Sequence, residues 1–380
     1  MKNTFRLTYF VSSLILFCSC SSTKYLDISN VKVTDVLASN PTKLLYEEIK
    51  TIAGEGIAIG HQDPTAYGID WKASAINTYR NDIHDVTGKY PAVHGWELGH
   101  LELGNAINLD TVSFALMREQ IIKTYQQGGI NTLSWHLDNP VSGGTSWDVT
   151  PAASTILKGG ANREKYEVWV DRLADFIKSL KTQDGITIPV VFRPYHEMNG
   201  SWFWWGANNC SVDEYKQLFR DIVDMLSKRD VHNVLYAYAP NTLNTPEEYE
   251  RFYPGDDYVD ILGVDIYNHS GDEAFIKTLQ KDLLVVKDFA EARNKPYALT
   301  ETGNVKPGST DWFTKVLYPG IENTGIAWVL FWRNARPSHY FATYPNEPAA
   351  DDFIEFGKKK EILFMEDLQK MNFKVKNKAN

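Results

Sequence analysis

The 380-residue chain predicts an α/β fold, a single (β/α)8 barrel of the TIM type, on three observations. Eight short β-rich runs recur along it. Stretches with apolar residues at three- and four-residue spacing alternate with them, and polar or aromatic residues crowd the C-terminal end of nearly every run. The runs fall at 56–60, 90–96, 132–135, 188–193, 234–238, 259–264, 297–300 and 326–331. The clearest helical stretches are 111–127, 163–182, 212–228 and 273–293, the last carrying Leu279, Leu283, Val286 and Ala290 on one stripe. No GxGxxG string follows the first run and no P-loop string occurs, which disfavours an open nucleotide-binding sheet.

The N-terminus has the composition of an export signal. Lys2 and Arg6 precede an apolar segment, Leu7 to Phe17, too short to span a bilayer, and Ser19-Cys20 follows. That order resembles a bacterial lipoprotein signal, with Cys20 as the acylated residue. The expected organisation is a signal peptide at 1–19, a polar tether at 20–40 and the barrel at 41–380. No acidic residue closely follows Cys20, which points to an outer-membrane anchor facing the periplasm. Cleavage removes two basic residues and no acid, moving the formal charge from −9 to −11. An acidic chain without a basic tract is a poor nucleic-acid binder. Cys20 and Cys210 would then be the remaining thiols, and a lipidated Cys20 leaves no disulfide.

In such barrels the reactive groups gather where the strands end. Strand one ends in Gly60-His61-Gln62, strand two in His94-Gly95-Trp96-Glu97 and strand three in Trp135-His136-Leu137-Asp138. Strand four runs into RPYHEMNGSWFWWG at 193–206, strand six into Asp265-Ile266-Tyr267-Asn268, strand seven into Thr300-Glu301-Thr302-Gly303 and strand eight into Phe331-Trp332-Arg333. Carboxylates that close apolar strands are the informative feature, because buried glutamates are rare unless paired or functional. Glu197 and Glu301 stand on strands four and seven, nearly opposite one another in an eight-stranded barrel. Two facing carboxyl groups are what glycosidic cleavage requires, one to protonate the leaving oxygen and one facing the anomeric carbon. Arg193 shares side-chain parity with Glu197, so both are expected at the mouth, the cation keeping one carboxylate ionised. His196 and Trp202, Trp204 and Trp205 would dry the other, as a general acid needs. The assignment is Glu197 as acid/base and Glu301 as nucleophile.

The strings RPYHEMNGSWFWWG, ALTETG and WHLDNP resemble the β-mannanases of glycoside hydrolase family twenty-six, and the likeness extends over most of the chain beyond the tether. The resemblance implies retaining, endo-type attack on β-1,4-mannosidic bonds, with Glu197 as acid/base and Glu301 as nucleophile. It places His196 and Trp202 at the cleavage subsite and Tyr267 against the nucleophile. It also sets His61, Trp96, His136 and Trp332 around the sugar. Neither a cofactor nor a metal is implied. Lone strand-end histidines such as His61 lack the His-x-His spacing of metal-dependent barrel hydrolases, and His94 with His100 is a loose pair. The alternatives are a mixed-linkage glucanase or β-1,3-xylanase on the same barrel, and a non-catalytic glycan-binding lipoprotein. Two carboxylates at those strand ends argue against the binder.

Overall fold

The structure, a computed structural model, describes residues 23–305 and 309–376. Eight parallel strands close on themselves: β1 (Ile57–Gln62), β2 (Val93–Glu97), β3 (Ile130–Ser134), β4 (Val190–Arg193), β5 (Val234–Tyr238), β6 (Ile261–Asn268), β7 (Tyr297–Asn304) and β8 (Trp328–Phe331). Each pairs with its sequence neighbour, and β8 returns to β1 through Trp328↔Ala58 and Phe331↔His61. The expected barrel is the observed one. β6 and β7 run four residues past their expected ends, to Asn268 and Asn304, where they form the wall of the site.

Alternation along the strands sorts side chains into two layers. Ala58, Val93, Val191, Leu235, Ile261, Ala298, Trp328 and Leu330 fill the barrel interior. Ile57, Ile59, Leu133, Phe192, Val264, Leu299 and Phe331 face outward and pack under the helices. Helix α1 (Asn40–Glu55) closes the base. Ser39 caps it by accepting from the Thr42 amide, Pro41 occupies its first turn, and Leu45, Tyr46, Ile49 and Ile52 join the interior cluster.

The stretch 20–40, expected to be a tether, is attached to the body from Lys24 onward. Lys24 pairs with Glu55, and Tyr25 and Leu26 form a parallel pairing with Lys374 and Val375. The Thr34 amide donates to Asp260 at 2.6 Å, and Asp35 meets His232 Nδ1 at 2.7 Å. Its polar composition serves docking: these groups find fixed partners on the barrel base. The signal segment and Cys20 lie outside the described residues. Cys210 is half-buried, its thiol donating to the Trp205 carbonyl at 3.1 Å. No helix among the described residues is long and apolar enough to cross a membrane.

Candidate active site

Above the apolar layer the barrel interior turns polar. Parity continues from Val191 to Arg193, from Val93 to Glu97 and from Ile261 through Asp265 to Tyr267, so all four polar groups point into the mouth. Glu301 arrives there by a different route. The registers of β7 with β6 and β8 shift between Leu299 and Glu301/Thr302, which makes Thr300 an inserted residue. Such a bulge rotates the following side chain to the other face, and Glu301 thereby sits level with Asp265 and faces inward. The Thr300 hydroxyl is held against Asp265 Oδ1 at 2.6 Å. Gly263 makes room for it, since a Cβ there would stand 2.6 Å from that hydroxyl.

Glu197 breaks the parity argument while satisfying its conclusion. β4 ends at Arg193, and the backbone at Tyr195 (φ 49°) and Glu197 (φ 54°) enters the left-handed region. Strand alternation therefore stops at Arg193. Tyr195 turns outward to hydrogen-bond Tyr166, and Glu197 swings over the mouth, anchored by its amide to the Ala239 carbonyl at 2.8 Å. Left-handed backbone at two bulky residues is the kind of local cost that functional loops carry.

The two carboxylates converge. Oxygens of Glu197, Asp265 and Glu301 lie within 4.8 Å of one another. That separation belongs with the short carboxyl spacing, roughly 5–5.5 Å, of double-displacement sites and leaves no space for an interposed nucleophilic water. Three clustered carboxylates also suit a cation, and Arg193 supplies one. Its guanidinium, itself buried, donates to Glu301 Oε1 and, at 2.7 Å, to Asp265 Oδ2. Tyr267 donates its hydroxyl to Glu301 Oε2 at 2.7 Å. Glu301 is therefore tied at both oxygens beside a fixed positive charge. Glu197 accepts from Asn241 Nδ2 at 2.9 Å and from Trp202 Nε1 at 2.8 Å. Its burial, reinforced by the neighbouring charge of Glu301, raises its pKa to about 7.

A second buried carboxylate organises the histidines. Glu97 accepts from Ser134 Oγ at 2.7 Å, from the amides of Gly99 and His136, and meets His136 Nδ1 at 2.7 Å. Burial alone would lower the pKa of His136, but Glu97 outweighs it and the net direction is upward. His136 Nε2 is 3.1 Å from His196 Nε2, and His196 lies 3.9 Å from Glu301. Burial, with Arg193 and His136 nearby, pushes the pKa of His196 well down, opposite in direction to that of His136. Trp332 stands beside His136, ring centroids 6.0 Å apart.

The structure thus brings Glu197, Glu301, Arg193, His136, His196, Trp202, Tyr267 and Trp332 to one mouth. Two expected residues are elsewhere. Trp96 is fully buried on the outward face of β2, its indole donating to Asn131 Oδ1 at 3.0 Å, and Glu97 takes the inward position one residue later. His61 shares the outward face with Ile57 and Ile59, and its Nδ1 lies 3.2 Å from Asn81. Strand-end position is not enough: a residue on the helix-facing side cannot reach the ligand. Trp204 and Trp205 are likewise buried supports, donating to the carbonyls of Leu137 and His196. His94 and His100 do not pair. His94 is bonded to Thr124 and the Pro91 carbonyl, and His100 lies 3.8 Å from Asp138. Sequence reasoning missed Glu97, Asp265 and Asn241 as site residues. Parity was a sufficient signal for the first two, whereas Asn241 follows β5, whose end had no distinctive string.

A parallel barrel that sets two carboxyl groups at this spacing, one beside a cation and one desolvated, defines the site of a glycoside hydrolase. The chain belongs to glycosyl hydrolase family 26, whose profile matches residues 34–314. It is 40% identical over 288 residues to a mannan endo-1,4-β-mannosidase of Bifidobacterium adolescentis and 32% identical over 237 residues to one of Bacillus subtilis. These alignments take in 72% and 60% of this chain but 28% and 61% of those relatives. The chain therefore spans less than two thirds of their length. A GH26 β-mannanase structure from Bacteroides ovatus superposes with a TM-score of 0.85 at 44% identity, covering 90% of this chain and 99% of that one.

Proposed function

We propose that the protein is a retaining endo-β-1,4-mannanase acting on mannan, galactomannan or glucomannan. The observation that carries this reading is the unequal treatment of two carboxyl groups within 4.8 Å. In the first step a Glu301 oxygen attacks the anomeric carbon. The bond from that carbon to the glycosidic oxygen breaks, and the proton of Glu197 moves to the departing oxygen. In the second step Glu197 takes a proton from water as that water's oxygen attacks the same carbon, releasing Glu301. Tyr267 and Arg193 hold the nucleophile in place, and Asn241 and Trp202 fix the proton donor. Mannan specificity within this chemistry is supported by the relatives and by the likeness of the strand-four string.

A product profile on mannohexaose, linear mannan, galactomannan and barley β-glucan tests the reading. New reducing ends from mannans, with internal cleavage of mannohexaose and retained anomeric configuration, are expected. Activity confined to β-glucan would replace the substrate, and absence of any new reducing ends would return the chain to the glycan binders. The placement that accompanies this function is a lipid anchor at Cys20 on the periplasmic face of the outer membrane, supported by the Ser19-Cys20 signal. Metabolic labelling with palmitate should mark the wild type and not Cys20→Ser, and protease added to whole cells should leave the protein intact.

A further inference from the structure

Two carboxyl groups outside the catalytic pair show how this protein treats an acid that it buries. Asp260 accepts from the amides of Thr34 and Tyr236, at 2.6 and 2.8 Å. Glu102 accepts from Trp135 Nε1 at 2.9 Å and from the Asp138 amide at 2.8 Å. Glu48, on α1, is treated differently. Burial alone raises its pKa to about 7, and among the described residues no group donates to it and no cation pairs with it. A carboxyl group taken from water without donors opposes folding, so its surroundings merit a ligand's chemistry.

Glu48 lines a cavity of about 440 Å³. Ile130, the first residue of β3, and Pro189, just before β4, also line it, which puts it at the base of the barrel, opposite the mouth. Leu44 and Leu45 of α1 and Leu368 supply apolar wall, and Glu48 is the only charged side chain among the described residues that line it. A second acceptor there is unmet: Gln127 Oε1 is buried and has no hydrogen-bond partner among the described residues. The helix Phe114–Gln126 ends at the same cavity, so the negative end of its dipole adds to the field. Lys123, the base in its last turn, lies instead over the Tyr79 ring at 4.2 Å. Burial, and after it the charge of Glu48, raises the pKa of Tyr125, which brings that phenol into the same wall.

We infer that this cavity binds a primary ammonium group carried on a short apolar stem. Positive charge complements Glu48 and the helix end, N–H groups suit the unmet oxygens, and methylenes cover the leucines. A bare metal ion would leave the apolar wall uncovered. One source of such a group lies close by. Asn372, on the cavity wall, donates from Nδ2 to Thr23 Oγ1 at 2.9 Å. Thr23 stands three residues after Cys20, a reach of about 10 Å at most. A lipid anchor at Cys20 would set the cavity beside the bilayer surface, where an ethanolamine headgroup presents its ammonium. The site is independent of the mannanase reading, and only this source rests on the anchor.

Isothermal titration of the purified full chain with ethanolamine hydrochloride tests the site, in amine-free buffer at pH 8, where Glu48 is ionised. One equivalent should bind. Glu48→Gln keeps the shape without the charge and should weaken binding about 10-fold or more, the scale of one charge-assisted hydrogen bond. Gln127→Leu, which removes the second acceptor, should weaken it by a smaller factor and serves if Glu48→Gln fails to fold. Choline, whose ammonium has no N–H, should bind less tightly than ethanolamine. Soluble dihexanoyl phosphatidylethanolamine that binds as tightly as ethanolamine would support the site and assign the headgroup as its source, whereas binding of ethanolamine alone would support the site and assign a free amine. No binding of ethanolamine to a wild type that melts cooperatively would overturn the inference. So would equal affinity in wild type and a folded Glu48→Gln, or binding of calcium chloride in place of the amine.

Discussion

The two ends of the barrel interior are built from the same strands on opposite terms. At the base, Val93, Val191, Leu235 and Ile261 join Leu45, Tyr46, Ile49 and Ile52 of α1 in one hydrophobic cluster. At the mouth, inward positions further along those or neighbouring strands are Glu97, Arg193, Asp265 and Glu301, all buried and all ionisable. Burial at the base stabilises, because it removes apolar surface from water. Burial at the mouth opposes charge and is tolerated through pairing, which makes the mouth a place of chemistry rather than of stability. Substitutions at the mouth should therefore show chiefly in rate and those at the base chiefly in melting.

The largest expected effect is at the nucleophile. Glu301→Gln keeps the shape and a polar contact to Tyr267 but cannot form the glycosyl-enzyme, so kcat on mannan should fall about 10⁴-fold or more. Asp265 remains as a partner for Arg193, so circular dichroism and Tm should stay close to wild type. Next comes the acid/base. Glu197→Ala should cost about 10²–10⁴-fold on mannan, the usual range for general acid–base removal. Azide should restore part of the activity on an aryl mannobioside, giving a mannosyl azide of retained configuration. A retained azide from Glu301→Ala, with an inverted one from Glu197→Ala, would exchange the two roles. At the base the readout reverses. Ile49→Ala opens a cavity in a fully buried position and should cost about 2–5 kcal/mol in denaturant unfolding. Below the melting transition its kcat/KM should be unchanged. An Ile49→Ala protein that lost activity while keeping its stability would break the division between the ends.

How much of this was legible in the sequence divides along the same line. The barrel was readable because eight runs and the intervening helical periodicity agree with one another, and the lower interior layer follows from alternation alone. Glu197 and Glu301 were readable because a carboxylate at the end of an apolar run is anomalous. How they reach the mouth was not. The Thr300 bulge and the left-handed backbone at Tyr195 and Glu197 reset the alternation at the two functional positions, and no local residue pattern announces either. The same alternation, taken one strand at a time, would have set Trp96 and His61 on the helix side and put Glu97 in the site. The strong visual signal of a tryptophan or histidine at a strand end concealed it. The segment 24–39 misled for a different reason: its polar residues make docking contacts to groups distant in the chain, such as Asp260 and His232, which composition does not reveal.

The smallest expected effect is also the one that measures what the mouth costs. With its pKa raised to about 7 by burial and by the charge of Glu301, Glu197 is protonated below neutrality and ionised above it. The general acid must carry its proton, so kcat/KM should fall as pH rises through about 7, and that alkaline limb should vanish from the azide-rescued Glu197→Ala reaction. Stability carries the same signature with a definite sign. In the unfolded chain this glutamate ionises near its ordinary value, 4.5. Below that pH both states hold the proton and the group contributes nothing. Between about 4.5 and 7 the native state binds more protons than the unfolded state, so stability declines with rising pH, and above about 7 the full penalty is present. Glu197→Gln, which cannot ionise, should therefore melt at a higher temperature than wild type at pH 8. The gap should close by about pH 4.5. Equal melting temperatures for the two proteins at pH 8 would mean that the mouth hydrates this carboxylate more fully than its burial implies, and the alkaline limb of activity would then have to arise from another group.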